Sequence, residues 1–119
     1  MKRRELGALG ERIATEHLTK LGYVIRERNF RSKEGETDII AEKDDFLVFV
    51  EVRTRRSHSF GTPEESVNAR KKERLITLAQ AYIQSHEDLP PSWRIDVVAI
   101  ELGPKGEISR LELIENAID

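Results

Sequence analysis

A mixed α/β sheet with helices packed on it, in the order α-β-β-β-α-β with a short C-terminal extension, is the fold that three features of this sequence predict. Residues 3–21 carry Leu6, Leu9, Ile13, Ala14, Leu18 and Leu21 at helical spacing. Residues 46–50, Phe-Leu-Val-Phe-Val, are apolar on both faces, as in a central strand covered on two sides. A second helical stripe, Leu75, Leu78, Ala79 and Tyr82, lies between that strand and the apolar run 93–102. A helix in that position permits a right-handed parallel crossover.

The elements follow in order. The first helix runs from Arg3 to Leu21, with Gly22 as its stop. Gly7 and Gly10 each cost about 1 kcal/mol in a helix. Both lie on or beside the apolar stripe, so close packing on a sheet is the expected reason. His17 falls on the same stripe and reads as a packed core histidine. Glu11 lies at the edge of the stripe, within reach of the sheet beneath. Tyr23–Phe30 reads as a strand with Tyr23, Ile25 and Glu27 on one face and Val24, Arg26 and Arg28 on the other. Thr37–Lys43 and Phe46–Arg53 read as strands joined at Asp44-Asp45. Residues 54–63 predict a mobile polar loop. Ala69–Ser85 is the second helix, capped by Ser66 or Asn68. Trp93–Leu102 is the fourth strand, and Ile108–Ile114 a last strand or short mixed element. The strand Trp93–Leu102 holds Asp96 on one face with Arg94, Val98 and Ile100, which predicts a buried salt bridge or a supporting role behind the site rather than catalysis.

A length of 119 residues fits one domain, 1–119. The chain has no cysteine, so disulfide and thiolate chemistry are excluded. The basic start Met1-Lys2-Arg3-Arg4 is followed by no apolar stretch long enough for a signal peptide, and nothing later has the length of a membrane span. A soluble cytoplasmic protein without a membrane partner is expected. The net charge of −2 hides a strong pattern. Residues 1–33 hold nine bases and four acids, residues 34–51 one base and seven acids, and residues 52–74 seven bases and three acids. Basic segments thus flank an acidic one, either as ordinary surface alternation or as a cationic rim for phosphates around carboxylates for a cation.

The hairpin sharpens this. A tight turn at Asp44-Asp45 sets Lys43 opposite Phe46, Asp38 opposite Glu51 and Glu36 opposite Arg53, all four on one face. Adjacent carboxylates repel unless one keeps its proton, an arginine intervenes or a cation binds. Mg²⁺ or Mn²⁺ suits such an oxygen pair. A plain salt-bridge ladder, Glu36 to Arg53 and Asp38 to Arg55, is the competing reading. Arg55, Arg56 and His58 after the strand, with Arg70, Lys71, Lys72 and Arg74 at the start of the second helix, offer phosphate contacts or a solvated basic surface.

Gly35-Glu36-Thr37-Asp38 followed by Val50-Glu51-Val52-Arg53 resembles the split Asp…Glu-X-Lys motif of the PD-(D/E)XK nuclease superfamily. With Gly7-Ala8-Leu9-Gly10-Glu11, Gly22-Tyr23, Arg28-Asn29-Phe30-Arg31, Lys71 and Arg94-Ile95-Asp96-Val97-Val98, the chain resembles more closely the YraN-like family of bacterial proteins within it. The resemblance reaches to about Ile100. It implies a restriction-endonuclease-like fold, Asp38 and Glu51 as carboxylates for Mg²⁺ or Mn²⁺, and Glu11 as their helper from the first helix. Arg53 stands where the motif has lysine. It keeps the charge but cannot give up a proton. Lys71 is then a candidate to supply the ammonium, with a solvated helix-start lysine as the alternative. Three functions follow as expectations: a metal-dependent endonuclease acting on DNA, branched or damaged forms included; a non-catalytic nucleic-acid-binding protein on the same fold; or a protein-interaction module. A homodimer would suit a branched substrate.

Overall fold

The Asp44-Asp45 turn forms as the sequence requires, with Asp44 in the left-handed region (φ 54°) that aspartate tolerates. It joins β2 (Gly35–Lys43) to β3 (Phe46–Arg55) in the expected register, Lys43 opposite Phe46 through Ile39 opposite Val50. This computed structural model describes residues 1–56 and 61–117. The other elements are α1 (Arg3–Lys20), β1 (Val24–Ser32), a 3-10 turn (Glu64–Ser66), α2 (Ala69–Ser85), β4 (Ser92–Leu102) and β5 (Ile108–Ile114). The five strands form one mixed sheet in sequential order, with β3 and β4 parallel and every other neighbour antiparallel. The C-terminal extension is therefore the fifth strand of the same sheet.

Each helix covers one face. Ala14 and Leu18 of α1 pack on Ile39, Val48, Val50, Val98 and Ile100. Leu75, Leu78 and Tyr82 of α2 pack on Ile40, Leu47, Phe49 and Ile95. Alternation along β3 sends Val48 and Val50 to α1 and Leu47 and Phe49 to α2, which is why the run needs apolar residues at every position. Burying a side chain such as Phe49 contributes about 2–3 kcal/mol. Asn68 is the cap of α2, its side-chain oxygen accepting from the Lys71 N–H at 2.9 Å. Among the described residues no helix is long and apolar enough to cross a membrane.

Asp96 is the buried salt bridge that its strand predicted. Its carboxylate accepts from Tyr23 Oη at 2.9 Å, Arg94 Nε at 3.0 Å and the Asn116 backbone N–H at 3.0 Å. Burial, and after it the Asp96 charge, pushes the Tyr23 hydroxyl up to about 12. This cluster ties the start of β1 and the turn after β5 to the centre of the sheet.

Several expectations need correction. Residues 24 to 28 do not alternate cleanly, because the β1–β2 register shifts between Ile25 and Glu27. The bulge turns Glu27 to the α2 face, where it accepts from Tyr82 Oη at 2.6 Å, while Arg26 donates to the same hydroxyl at 3.0 Å. Gly10 packs on the sheet as expected and has to lack a side chain, because a Cβ there would collide with Thr54 of β3. Gly7 does not, since a Cβ would meet nothing within 4 Å. His17 is only half-buried. β3 runs on to Arg55, so Thr54 and Arg55 are strand and not loop. Residues 57–60, where the mobile loop was expected, lie outside the described residues, as does His58.

Candidate nucleic-acid and metal site at the splayed end of the sheet

The paired strands part where the chemistry was expected. β2 stays with β1 as far as Gly35 opposite Ser32, whereas β3 follows β4 as far as Arg55 opposite Glu101. The β2–β3 ladder ends at Ile39–Val50. Beyond it, side chains replace backbone bonds. Thr37 Oγ1 donates to the Val50 carbonyl at 3.3 Å, and Asp38 Oδ2 accepts from the Val52 N–H at 2.7 Å. The predicted oppositions of Asp38 to Glu51 and of Glu36 to Arg53 are both lost from the ladder for this reason. Glu36 instead pairs with Arg31 of β1 at 3.3 Å, an exposed contact of little energetic weight. The salt-bridge ladder between the two strands does not form in the expected way either.

The splay places Asp38 between two other acids. Glu51 continues the α2-facing row of β3 and is buried, only 3% exposed. Glu11 comes from α1 and, with the Asn29 amide oriented so that its nitrogen faces the carboxylate, accepts from that nitrogen at 2.6 Å through Oε1. Burial first, and the Asp38 charge second, raises the carboxyls of both. For Glu51 the rise reaches about 7, against the pull of two cations. Those cations are Arg53, whose Nη2 donates to Glu51 Oε2 at 2.7 Å, and Lys71, whose Nζ lies 3.2 Å from the same oxygen. Lys71 is therefore not a solvated helix-start lysine; its side chain is only 26% exposed. Arg53 Nε is buried and meets no acceptor among the described residues. An N–H left in that state calls for an oxygen acceptor, such as a phosphate oxygen or a water.

A cleft of about 630 Å³ opens on the α1 side of this end. Arg3, Arg53, Arg55 and Arg56 supply its cationic lining, and Glu11 and Asp38 its acidic one. Gly7 of α1 also lines it, which accounts for the open space above that residue. A smaller cleft of about 350 Å³ lies on the α2 side, between the β1–β2 hairpin and α2. Lys71 and Arg74 line it; Arg70 and Lys72 line neither cleft. The reason is helical spacing. Lys71, Arg74 and Leu75 share one face, and Leu75 is buried. The same spacing, visible in the sequence, would have singled out Arg74 over its neighbours.

Among the described residues no three His, Cys, Asp or Glu side chains converge as a cage. Mg²⁺ does not need one, because it keeps several waters and binds through one or two carboxylates. Asp38 and Glu51 are all-oxygen donors, the Asp38 charge raises the Glu51 carboxyl, and the pair suits such an ion, with Glu11 within side-chain hydrogen-bond reach of Asp38.

The model of "Uncharacterised protein family UPF0102" matches residues 10–100. The chain belongs to this family. UPF0102, the YraN-like family that the sequence resembles, thereby takes in Glu11, Asp38, Glu51, Arg53 and Lys71, while Arg3 and β5 fall outside the matched span. Related UPF0102 proteins occur in Symbiobacterium thermophilum, 48% identical over 96% of each chain, and in Dictyoglomus turgidum, 42% identical over 98% of this chain and 99% of the relative. A UPF0102 protein of Syntrophomonas wolfei is 50% identical over 82% of this chain and 84% of its own.

Proposed function

We propose that this protein is a metal-dependent, endonuclease-like protein acting on DNA phosphodiesters, with Asp38 and Glu51 as the carboxylates for Mg²⁺ or Mn²⁺. The observation that carries the reading is Glu51: a buried carboxylate held by Arg53 and Lys71, beside a second acid, next to a cleft with four arginines. A salt-bridge network built for stability alone gives no reason to set Asp38 and Glu11 against it. A divalent ion, when bound, supplies an acidified water and neutralises charge on a phosphate oxygen. The chain's own groups do the rest. Asp38 is fixed by the Val52 N–H and cannot swing away. Glu11, with its raised carboxyl, takes or holds a proton near the attacking water. Arg53 offers its unused Nε–H to a phosphate oxygen. Lys71 brings the ammonium that the motif strand lacks, from α2 instead of β3.

One observation favours a second reading, a DNA-binding protein without turnover. Arg53 and Lys71 already compensate Glu51, so the carboxylate has counter-charges without any metal. Cleavage of labelled single-stranded, duplex, flapped and four-way-junction DNA with Mg²⁺ or Mn²⁺ separates the two. Cleavage by the wild type and not by Asp38→Ala/Glu51→Ala supports the nuclease. No cleavage of any substrate, with equal DNA binding by wild type and double mutant, leaves the binding protein.

A further inference from the structure

The smaller cleft is not needed for a single phosphodiester at Asp38 and Glu51, yet it is basic, and Lys71 in its lining pairs with the Glu51 carboxylate. Its walls are the tip of the β1–β2 hairpin, with Arg31, Ser32, Gly35 and Glu36, and the first turns of α2, with Lys71 and Arg74. Three cations face one acid there. Arg31 is committed to Glu36 only through an exposed contact, with side chains 81% and 61% exposed, so it exchanges that partner for a phosphate at little cost. Arg74 is exposed beside it.

The two clefts lie on opposite faces of the sheet, one under α1 and one under α2. They are joined through a single atom. Glu51 Oε2 is bonded at once by Arg53, which lines the larger cleft, and by Lys71, which lines the smaller one. The parting of β2 from β3 makes this possible, since an unbroken ladder would hold the two faces apart.

We infer that the cleft of Arg31, Lys71 and Arg74 is a second binding site for a phosphodiester backbone, so that the protein takes two diverging segments of DNA astride the end of its sheet. This rests on the nucleic-acid reading above and adds to it the form of the substrate. A forked duplex presents two such segments; a short single strand presents one. Backbone contacts of this kind are sequence-independent, and each shows as a step in the salt dependence of binding.

The test is fluorescence anisotropy with a forked duplex and with a short single strand, in EDTA and in Ca²⁺, across a salt series. Three charge-removal pairs are compared: Arg31→Ala/Arg74→Ala, Arg55→Ala/Arg56→Ala, and Arg12→Ala/Lys20→Ala as a pair that lines neither cleft. Circular dichroism confirms folding. On the fork, each cleft pair is expected to lower the slope of log K against log salt by about 2, with the combined variant near 4. On the short strand only one cleft pair matters, and the Arg12/Lys20 pair changes neither slope. If the fork depends on one cleft pair alone, or on all three pairs equally, the two-segment arrangement is wrong. Dependence on Arg55 and Arg56 alone leaves the proposed function standing. Absence of salt-dependent binding to any DNA removes both.

Discussion

Alanine at Gly10 and alanine at Gly7 should move stability in opposite directions, although the two residues are one helical turn apart. Alanine in a helix interior is favoured over glycine by about 1 kcal/mol. At Gly7 nothing opposes that gain, because a Cβ there meets no atom within 4 Å. At Gly10 the new methyl would strike the Thr54 hydroxyl and approach the Thr54 Cβ to 3.3 Å. Threonine is branched at Cβ, so only one of its three staggered χ1 states turns a hydrogen towards Gly10, and the close contact with the Thr54 Cβ stays in every one of them. The helix has to lift from β3, and overpacking of this kind costs about 1–3 kcal/mol. The net expectation is a gain of about 1 kcal/mol for Gly7→Ala and a loss of up to about 2 kcal/mol for Gly10→Ala. Thermal or urea unfolding reads both; each kcal/mol moves Tm by about 3–6 °C at this size. Thr54→Ala should return part of the Gly10→Ala loss, since it removes the colliding oxygen. Lifting α1 also carries Glu11 away from Asp38, so Gly10→Ala should weaken any divalent-ion effect at the site while Gly7→Ala leaves it. Equal stabilisation by both alanines, or no rescue by Thr54→Ala, would refute the reasoning.

Other expectations follow from the buried charges. The Glu51 carboxyl is raised from 4.5 to about 7, so in that window the folded protein holds a proton that the unfolded chain has released. Its contribution is full below pH 4.5 and is lost as pH rises towards 7. Between pH 5 and 8 in EDTA, wild-type stability should fall by about 2–3 kcal/mol more than that of Glu51→Gln, measured by urea unfolding; parallel curves would rule this out. Mg²⁺ should stabilise the wild type more at pH 8 than at pH 5, and Asp38→Asn should lose most of that gain. Asp96→Ala should cost about 3–5 kcal/mol because it strands the Arg94 guanidinium, whereas Tyr23→Phe should cost about 1 kcal/mol, one hydrogen bond; equal costs would mean that the cluster is not held by Asp96. The Arg110 side chain holds Glu64 at 2.7 Å and Glu101 at 3.0 Å, and it keeps the Glu64 carboxyl at about 2. That contribution is present above pH 4.5 and is lost as pH falls through 2, so Arg110→Ala should flatten the acid limb of a stability profile and leave the limb above pH 5 alone.

Where local rules dominate, the sequence was sufficient. The Asp44-Asp45 turn fixes the register of β2 on β3 without help from the rest of the fold, and the doubly apolar run 46–50 needs a helix on each face whatever their order. Asp96 could be placed as buried because its strand is otherwise apolar. What local rules could not supply is the point at which β2 and β3 part. That depends on β4, some forty residues on, drawing β3 along its own line until Arg55. The opposition of Glu36 and Arg53 failed there, and the bulge after Ile25 likewise put Glu27 under Tyr82 against simple alternation. At the site, Asp38, Glu51, Arg53 and Glu11 came from pattern and resemblance. Lys71 is a candidate in the sequence, but its pairing with Glu51 depends on how α2 packs on the sheet. Arg31 and Arg74 were missed as a cleft because one belongs to a hairpin and the other to a helix, and only the packed sheet brings them together.

The parallel pairing of β3 with β4 has a consequence for how the chain comes to be folded at all. A ribosome releases Phe46–Val50 well before Ser92–Leu102, so for an interval the most apolar strand has β2 on one side and nothing on the other. During that interval its edge is open to any extended segment nearby, including the same segment of a second nascent chain. The remedy is α2, which can form locally and cover Leu47 and Phe49 while β4 is still being made. Chains ending after Ser85 should therefore be less prone to aggregate than chains ending after Arg55, and the helix that later presents Lys71 to the carboxylates would first serve as the guard of an unfinished sheet.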